Sequence, residues 1–149
     1  MKYADNTVNN YDMELEKDID LITKSLSRPY FNSALKKLTR ENPNNARIIC
    51  EYILTEQTEF NIKESTKEGK IKVLVWLSNF HGKNFIDITK QDILKYLNNL
   101  RKSSEEDPSH KWIGSCNGRQ AVFLKFFKWL HNLDESDYRK RISLFVCKE

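Results

Sequence analysis

The stretch that decides the fold reads SHKWIGSCNGRQAVFLKFFKWLH and covers residues 109–131. Its second half places Phe123, Phe126, Phe127 and Leu130 at i, i+3, i+4 and i+7, the spacing of a helix with one strongly apolar face. Its first half is polar, and we expect the helix to begin there, at about Ser115. A helix N-terminus offers unpaired N–H groups and a partial positive charge. We therefore expect a helix that binds a phosphate backbone or a base edge and is anchored by an aromatic core.

Helical periodicity extends outward from this stretch along most of the chain. The polar start predicts a disordered arm through about Asn10. Helices are predicted for Leu15 to Ser27, Phe31–Leu38, Ala46–Gln57, Ser65 to Phe80, Thr89 to Leu100 and, with weaker patterning, Glu135–Val146. No strand pattern competes with these helices, and only four Gly and three Pro argue against a β-sandwich. The sequence predicts an all-α fold.

Turn and cap residues define the helix ends. Ser65 with Glu68, and Thr89 with Asp92, have the spacing of capping boxes. Gly82 is expected to end the helix whose buried face would include Leu77 and Phe80. The break at residues 42–44, Asn-Pro-Asn, is the best candidate for a domain boundary.

Charge is distributed unevenly along the 149 residues, whose net charge is +4. Residues 1–25 contain three lysines and six acidic residues, a net charge of −3, so the remainder has +7. An acidic appendage on a basic body indicates a polyanionic partner. No apolar run approaches the ~20 residues that span a bilayer, and the N-terminus has no apolar core of the signal-peptide type. We expect a cytoplasmic protein without membrane contact.

Metal, cofactor and substrate chemistry have little support in the sequence. The three cysteines and three histidines are scattered, without a CxxC pair or a tetrahedral ligand set. A small enzyme is the weakest interpretation, because no nucleophile–base pair, paired carboxylates or phosphate loop has a usable spacing. We expect no metal, no cofactor and no small-molecule substrate.

The order of several short motifs carries a resemblance. The chain has, in order, a capped helix that opens at Ser65–Glu68, a link at Phe85–Thr89, a second capped helix that ends at Tyr96-Leu97, and a closing Asn117-x-Arg119 followed by Phe126–Leu130. This order resembles the N-terminal, SAM-like core-binding domain of tyrosine recombinases, the phage integrase family. The lead-in Asp107–Gly114 is similar to the archaeal integrase-like branch. The resemblance covers about Asn44 to His131.

The resemblance implies a small orthogonal bundle of four to five helices that clamps duplex DNA, with an extra N-terminal helical segment. The domains would be an acidic arm (1–42), a core-binding domain (43–133) and a segment (134–149) leading toward a catalytic domain that this chain lacks. The family's catalytic arginine, lysine, histidine and tyrosine set is not matched, since Tyr138–Arg141 has neither the histidine nor the separated arginines. The expected protein is therefore a non-catalytic, DNA-associated recombination module, with duplex DNA and other recombinase subunits as partners.

Two helices would approach the DNA in such a domain, the one beginning at Ser65 and the one beginning at Ser115. The expected contact residues are Thr66, Lys67, Lys70, Lys111, Ser115, Asn117, Arg119, Gln120 and Lys125. A helical projection places Asn117 and Lys125 away from Phe123, and Arg119 on the core side. Simpler interpretations remain for each residue: the serines as helix caps, and Lys70 and Lys125 as a solvated face. A helical protein-interaction module is the alternative function.

Overall fold

The computed structural model describes residues 2–131, with side chains from residue 13 onward. These residues form six α-helices and one 3-10 turn, and none of them is in a strand, which confirms the all-α prediction. The elements are α1 (Lys2–Thr23), α2 (Pro29–Glu41), α3 (Pro43–Phe60), α4 (Glu64–His81), the 3-10 turn (Phe85–Asp87), α5 (Lys90–Asn99) and α6 (Lys111–His131). The predicted segment 134–149, with Tyr138–Arg141 and the weakly patterned helix, lies outside the described residues.

The chain divides into two compact units, of which the first ends at Asn84 and the second begins at Phe85. The first unit contains α1 to α4, so the expected boundary at Asn42–Asn44 falls between two helices of one unit. Pro29 and Pro43 each occupy the first position of a helix, where the missing N–H removes no hydrogen bond. The assignment of residues 1–42 as a separate arm remains a prediction.

The first unit buries one apolar face from each of its four helices. The buried side chains include Leu15, Ile19 and Ile22 of α1, Phe31, Leu35 and Leu38 of α2, Ile49 and Ile53 of α3, and Ile71, Leu74 and Leu77 of α4. Leu77 is buried as predicted, whereas Phe80, which was expected on the same buried face, is 44% exposed. α1 begins at Lys2, within the stretch for which a disordered arm is predicted.

The second unit is held by an aromatic cluster. Phe126 of α6 packs edge-on against Phe85 of the 3-10 turn, with ring centroids 5.0 Å apart. Phe123 packs against Tyr96 of α5 in the same way at 5.5 Å. Such pairs contribute about 0.5–1.5 kcal/mol each beyond the area they bury. The cluster fixes α6 against α5, with the Phe-rich half of α6 as the anchor that the sequence predicted.

Two of the predicted helix ends are confirmed, and the third is wrong. Thr89 and Asp92 form a capping box at α5, with the Asp92 N–H donating to Thr89 Oγ1 at 3.2 Å and the Thr89 N–H to Asp92 Oδ2 at 2.9 Å. Gly82 ends α4 with φ of 67°, a conformation that glycine adopts without strain. Ser65 is not a cap, since α4 begins one residue earlier and Lys63 occupies the cap position without a side-chain hydrogen bond.

Candidate nucleic-acid interface

The polar half of α6 begins earlier than predicted, at Lys111. Asp107 lies four residues before this start, and its carboxylate accepts a hydrogen bond from the Trp112 N–H in the first turn at 2.9 Å. The N–H groups of Trp112 and, to a lesser extent, Lys111 hold the pKa of Asp107 below its ordinary value of 3.8. Since a carboxylate already occupies the positive end of the helix, a phosphate group has to be bound by side chains rather than by the helix N-terminus.

Because α6 starts four residues before Ser115, the serine is not a cap but part of an exposed face. This face, called the α6 stripe below, consists of Lys111, Gly114, Ser115, Gly118, Ala121 and Lys125, all exposed. The spacing follows the helical repeat and spans about 21 Å of the axis at 1.5 Å per residue. The stripe has a lysine at each end and small residues between them.

The two glycines of the stripe are not required by packing within the described structure. A Cβ added at Gly114 or Gly118 would meet no other atom within 4 Å. Glycine inside a helix is nevertheless less favourable than alanine by about 1 kcal/mol. The stripe therefore keeps its backbone uncovered at a cost in helix stability, which a surface that approaches α6 closely would explain.

Arg119 lies beside the stripe and is held in place by α5. Its Nη1 donates a hydrogen bond to the Tyr96 hydroxyl at 2.9 Å, and its guanidinium lies 5.9 Å from the centroid of the Tyr96 ring. Burial raises the pKa of the Tyr96 hydroxyl, although Arg119 acts in the opposite direction. The phenol therefore stays protonated at neutral pH and accepts the bond from the arginine, as expected for an arginine on the core side of the helix.

A cleft of about 250 Å³ opens between the start of α6 and the segment before it. Three cationic side chains line it: Lys102, Lys111 and Arg119. Ser115 contributes a hydroxyl, and Glu106 and Asp107 contribute carboxyl groups. Next to the cleft, the guanidinium of Arg101 lies 5.5 Å from the centroid of the Trp112 ring. The cleft is thus lined by basic side chains that lie up to 17 positions apart in the sequence, from Lys102 to Arg119.

The two lysines predicted as DNA contacts on α4 are buried, so the expectation that they face solvent is wrong. Lys67 is 2% exposed, and its Nζ lies 3.7 Å from Glu64 Oε2 and 3.4 Å from Ser25 Oγ. Lys70 is 7% exposed, with Nζ 3.0 Å from Glu56 Oε1 and 3.2 Å from the Tyr52 hydroxyl. A buried charge needs such partners, so these two lysines make contacts inside the first unit rather than at its surface.

The remaining predicted contacts are placed as follows. Thr66 is exposed in the first turn of α4, whereas Lys67 and Lys70 of the same helix are buried. On α6, Lys111, Ser115, Asn117 and Lys125 are exposed, while Arg119 and Gln120 are half-buried. The structure therefore brings Lys111, Ser115 and Arg119 to one cleft, with Lys125 further along the same stripe.

Three participants were missed from the sequence: Lys102, Tyr96 and Asp107. Asp107 carries a weak signal, because aspartate is favoured near helix starts, although α6 begins four residues after it rather than directly after it. It was overlooked because the helix was predicted to start at Ser115. Tyr96 and Lys102 carry no such signal, since Tyr96 meets Arg119 only through the packing of α5 against α6, and Lys102 reaches the cleft from the segment between these helices.

Comparisons with known proteins identify no relative. No protein-family description matches the chain, no curated protein matches it, and no solved structure matches it. Within residues 2–131, no helix combines the length and apolar character needed to cross a membrane. The same residues contain no cluster of three or more His, Cys, Asp or Glu side chains suited to a metal ion.

Proposed function

We propose that the chain is a non-catalytic module that binds duplex DNA through the α6 stripe and the adjoining cleft, as part of an integrase-like recombination system. The observation that carries the proposal is the charge of α6, which contains four Lys or Arg residues and no acidic residue in 21 positions. The net charge of the whole chain is also +4, so the rest of the chain is neutral on balance. Positive charge is concentrated on one helix, as electrostatic contact with a phosphate backbone requires.

The shape of the stripe supports the same proposal. Lysines at residues 111 and 125 stand about 21 Å apart along the helix, and the glycines between them allow close approach. Two lysines flanking an uncovered helix surface suit contacts to phosphates on either side of a groove. Asn117, exposed at the edge of the stripe, has the amide group that pairs with adenine.

The test is a titration of a fluorescent duplex of random sequence at several salt concentrations, with a strand-cleavage assay in parallel. The log–log slope of affinity against salt should lie between about −1.8, if Lys102, Lys111 and Arg119 share one phosphate, and about −3.6, if these three and Lys125 each contact a separate one. Binding without cleavage is expected. Binding that is absent at low salt, or independent of salt, would refute the proposal.

Charge-matched variants localise the contact. We expect Lys111→Gln with Lys125→Gln to reduce the magnitude of the slope by about two. The same double change at Lys17 and Lys24, in the first unit, should leave affinity within about twofold. Equal weakening by both pairs would show that net charge alone, and not the α6 stripe, determines binding.

A protein-interaction module is the second candidate, and one groove favours it. Residues at the turn between α1 and α2 bound an open groove of about 620 Å³. Leu21, which is 56% exposed, lines the groove together with three cations and one carboxylate, Lys17, Lys24, Arg28 and Asp20. An acidic segment with one apolar residue would fit this groove. Under this alternative, Lys17→Gln with Lys24→Gln should abolish partner binding, while the α6 variants should not.

A further inference from the structure

We propose that the cleft beside α6 is a binding site for one phosphate group, with Arg119 as its central ligand and Tyr96 as the residue that positions the arginine. The inference rests on the proposed function, because the phosphate in question is taken to belong to DNA. It adds to that function a specific pocket, a specific ligand group and a role for a residue on α5.

The first argument is the convergence of donors from two segments. Lys111, Ser115 and Arg119 lie at i, i+4 and i+8 on α6, so they follow one another along the same side of the helix. Lys102 reaches the cleft from the segment before α6. Among the described residues, neither Lys102 nor Lys111 is part of an ion pair. Two ammonium groups, a guanidinium and a hydroxyl are the donors that phosphate oxygens accept.

The second argument is the orientation of Arg119. The hydrogen bond to the Tyr96 hydroxyl, at 2.9 Å, uses Nη1, and a guanidinium has five N–H donors in a fixed fork. An arginine already restrained by a buried tyrosine loses less side-chain entropy on binding than a free surface arginine. The restraint comes from a different helix, so it survives any fraying at the start of α6.

The third argument concerns the carboxylates in the cleft, Glu106 and Asp107. Asp107 accepts a hydrogen bond from the Trp112 N–H and keeps its negative charge, so two carboxylates oppose three cations in the cleft. The cleft therefore has a positive balance even without Arg101. Its volume of about 250 Å³ is small, which favours a single anionic group over a base or a peptide segment.

The experiment combines two titrations of the ¹⁵N-labelled chain followed by NMR. The first uses inorganic phosphate, and the second uses duplex DNA with and without 5′-phosphates. Phosphate should shift the signals of Lys102, Lys111, Ser115 and the Arg119 side chain. Stronger binding of the 5′-phosphorylated duplex would assign the site to a terminal phosphate, and equal binding to an internal phosphodiester. Phosphate shifts that are absent, or lie elsewhere, overturn the proposal.

Variants test the separate roles of the two residues. Arg119→Gln should weaken DNA binding about tenfold and reduce the magnitude of the salt slope by about one. Tyr96→Phe keeps the charge, so it should weaken binding about threefold without changing the slope. Arg119→Lys should keep the slope but not restore affinity, because it lacks the fork. Lys95→Gln, an exposed site on α5 outside the cleft, is the matched control and should change affinity less than twofold.

The outcomes separate this inference from the proposed function. If the unmodified chain binds DNA and Arg119→Gln behaves like Lys95→Gln, the cleft is not a phosphate site, while the proposed function stands. If phosphate shifts the cleft signals but DNA does not bind, the cleft inference stands and the proposed function fails. If Tyr96→Phe changes the salt slope as Arg119→Gln does, the positioning role of Tyr96 is wrong.

Discussion

Replacing both glycines of the α6 stripe by alanine should make the protein more stable and, at the same time, worse at binding DNA. Gly114 and Gly118 lie inside α6, and an added Cβ would meet nothing within 4 Å at either position. Each Gly→Ala change in such a helix stabilises by roughly 0.5–1 kcal/mol. The pair should therefore add about 1–2 kcal/mol, which corresponds to a rise in Tm of roughly 2–8 °C for a chain of this size.

The loss of DNA binding follows from the same geometry. If duplex DNA approaches the uncovered backbone between Lys111 and Lys125, two methyl groups on that surface hold it away and lengthen the flanking contacts. We expect an affinity loss of about tenfold, equivalent to roughly 1.4 kcal/mol. The net charge is unchanged, so non-specific electrostatic attraction cannot account for the loss.

The assay pairs thermal melting, followed by circular dichroism, with the fluorescent duplex titration. Gly69→Ala is the matched control, because Gly69 is exposed inside α4 and an added Cβ there also meets nothing within 4 Å. The control should raise Tm without affecting DNA affinity. A stabilised Gly114→Ala, Gly118→Ala double variant with unchanged affinity would refute close approach of DNA to α6. A fall in Tm would refute the packing argument itself.

Three further predictions concern buried and capping groups. Lys70→Ala should lower the free energy of unfolding by about 3–5 kcal/mol, because it leaves the Glu56 carboxylate buried without its ammonium partner. The same change at the exposed Lys125 should alter the free energy of unfolding by no more than about 0.5 kcal/mol. Urea unfolding measures both variants, and similar losses would contradict the burial of Lys70. Asp107→Ala should lower Tm at pH 7. Since the pKa of Asp107 is lowered in the folded chain from 3.8, the carboxylate stabilises the fold above that pH and loses its effect as the pH falls through the lower, folded value. Melting the unmodified and variant chains at pH 7 and pH 3 should therefore show a difference that shrinks in acid, and a constant difference would contradict the cap. Burial, together with the charges of Asp18 and Glu51, raises the pKa of the Cys50 thiol to about 12. The thiol should therefore resist alkylation at pH 8 until the chain unfolds. Mass spectrometry of the labelled peptides would detect alkylation of Cys50 in the folded chain, which would contradict this prediction.

The burial of Lys70 changes how the first unit contributes to function. The pair with Glu56 joins α4 to α3, and the buried Asn45 joins α3 to the end of α4, donating to Ser78 Oγ and to the Lys83 carbonyl, both at 2.8 Å. These contacts stabilise the packing of the two helices rather than present charge to solvent. The proposed DNA contact therefore depends on the second unit.

Periodicity in the sequence was sufficient for the fold class and for most helix positions. The spacing of Phe123, Phe126 and Phe127 predicted the buried face of α6, because an apolar stripe at intervals of three and four specifies both a helix and its inward side. The Thr89–Asp92 cap was equally readable, since both partners lie within one helical turn. Such patterns can be interpreted from the sequence because the residues involved belong to one helix, whose geometry is known.

Only the tertiary structure decided which charged residues face solvent and which groups surround Arg119. A lysine can be buried where a partner from another helix satisfies its charge, and the partner of Lys70 lies 14 positions earlier in the chain. Arg119 meets Tyr96 across 23 positions. Such pairings depend on how helices are packed against one another, and the residue pattern within a single helix does not specify that packing. Sequence alone therefore determined the fold class and most helix positions of this protein, and packing determined its candidate site.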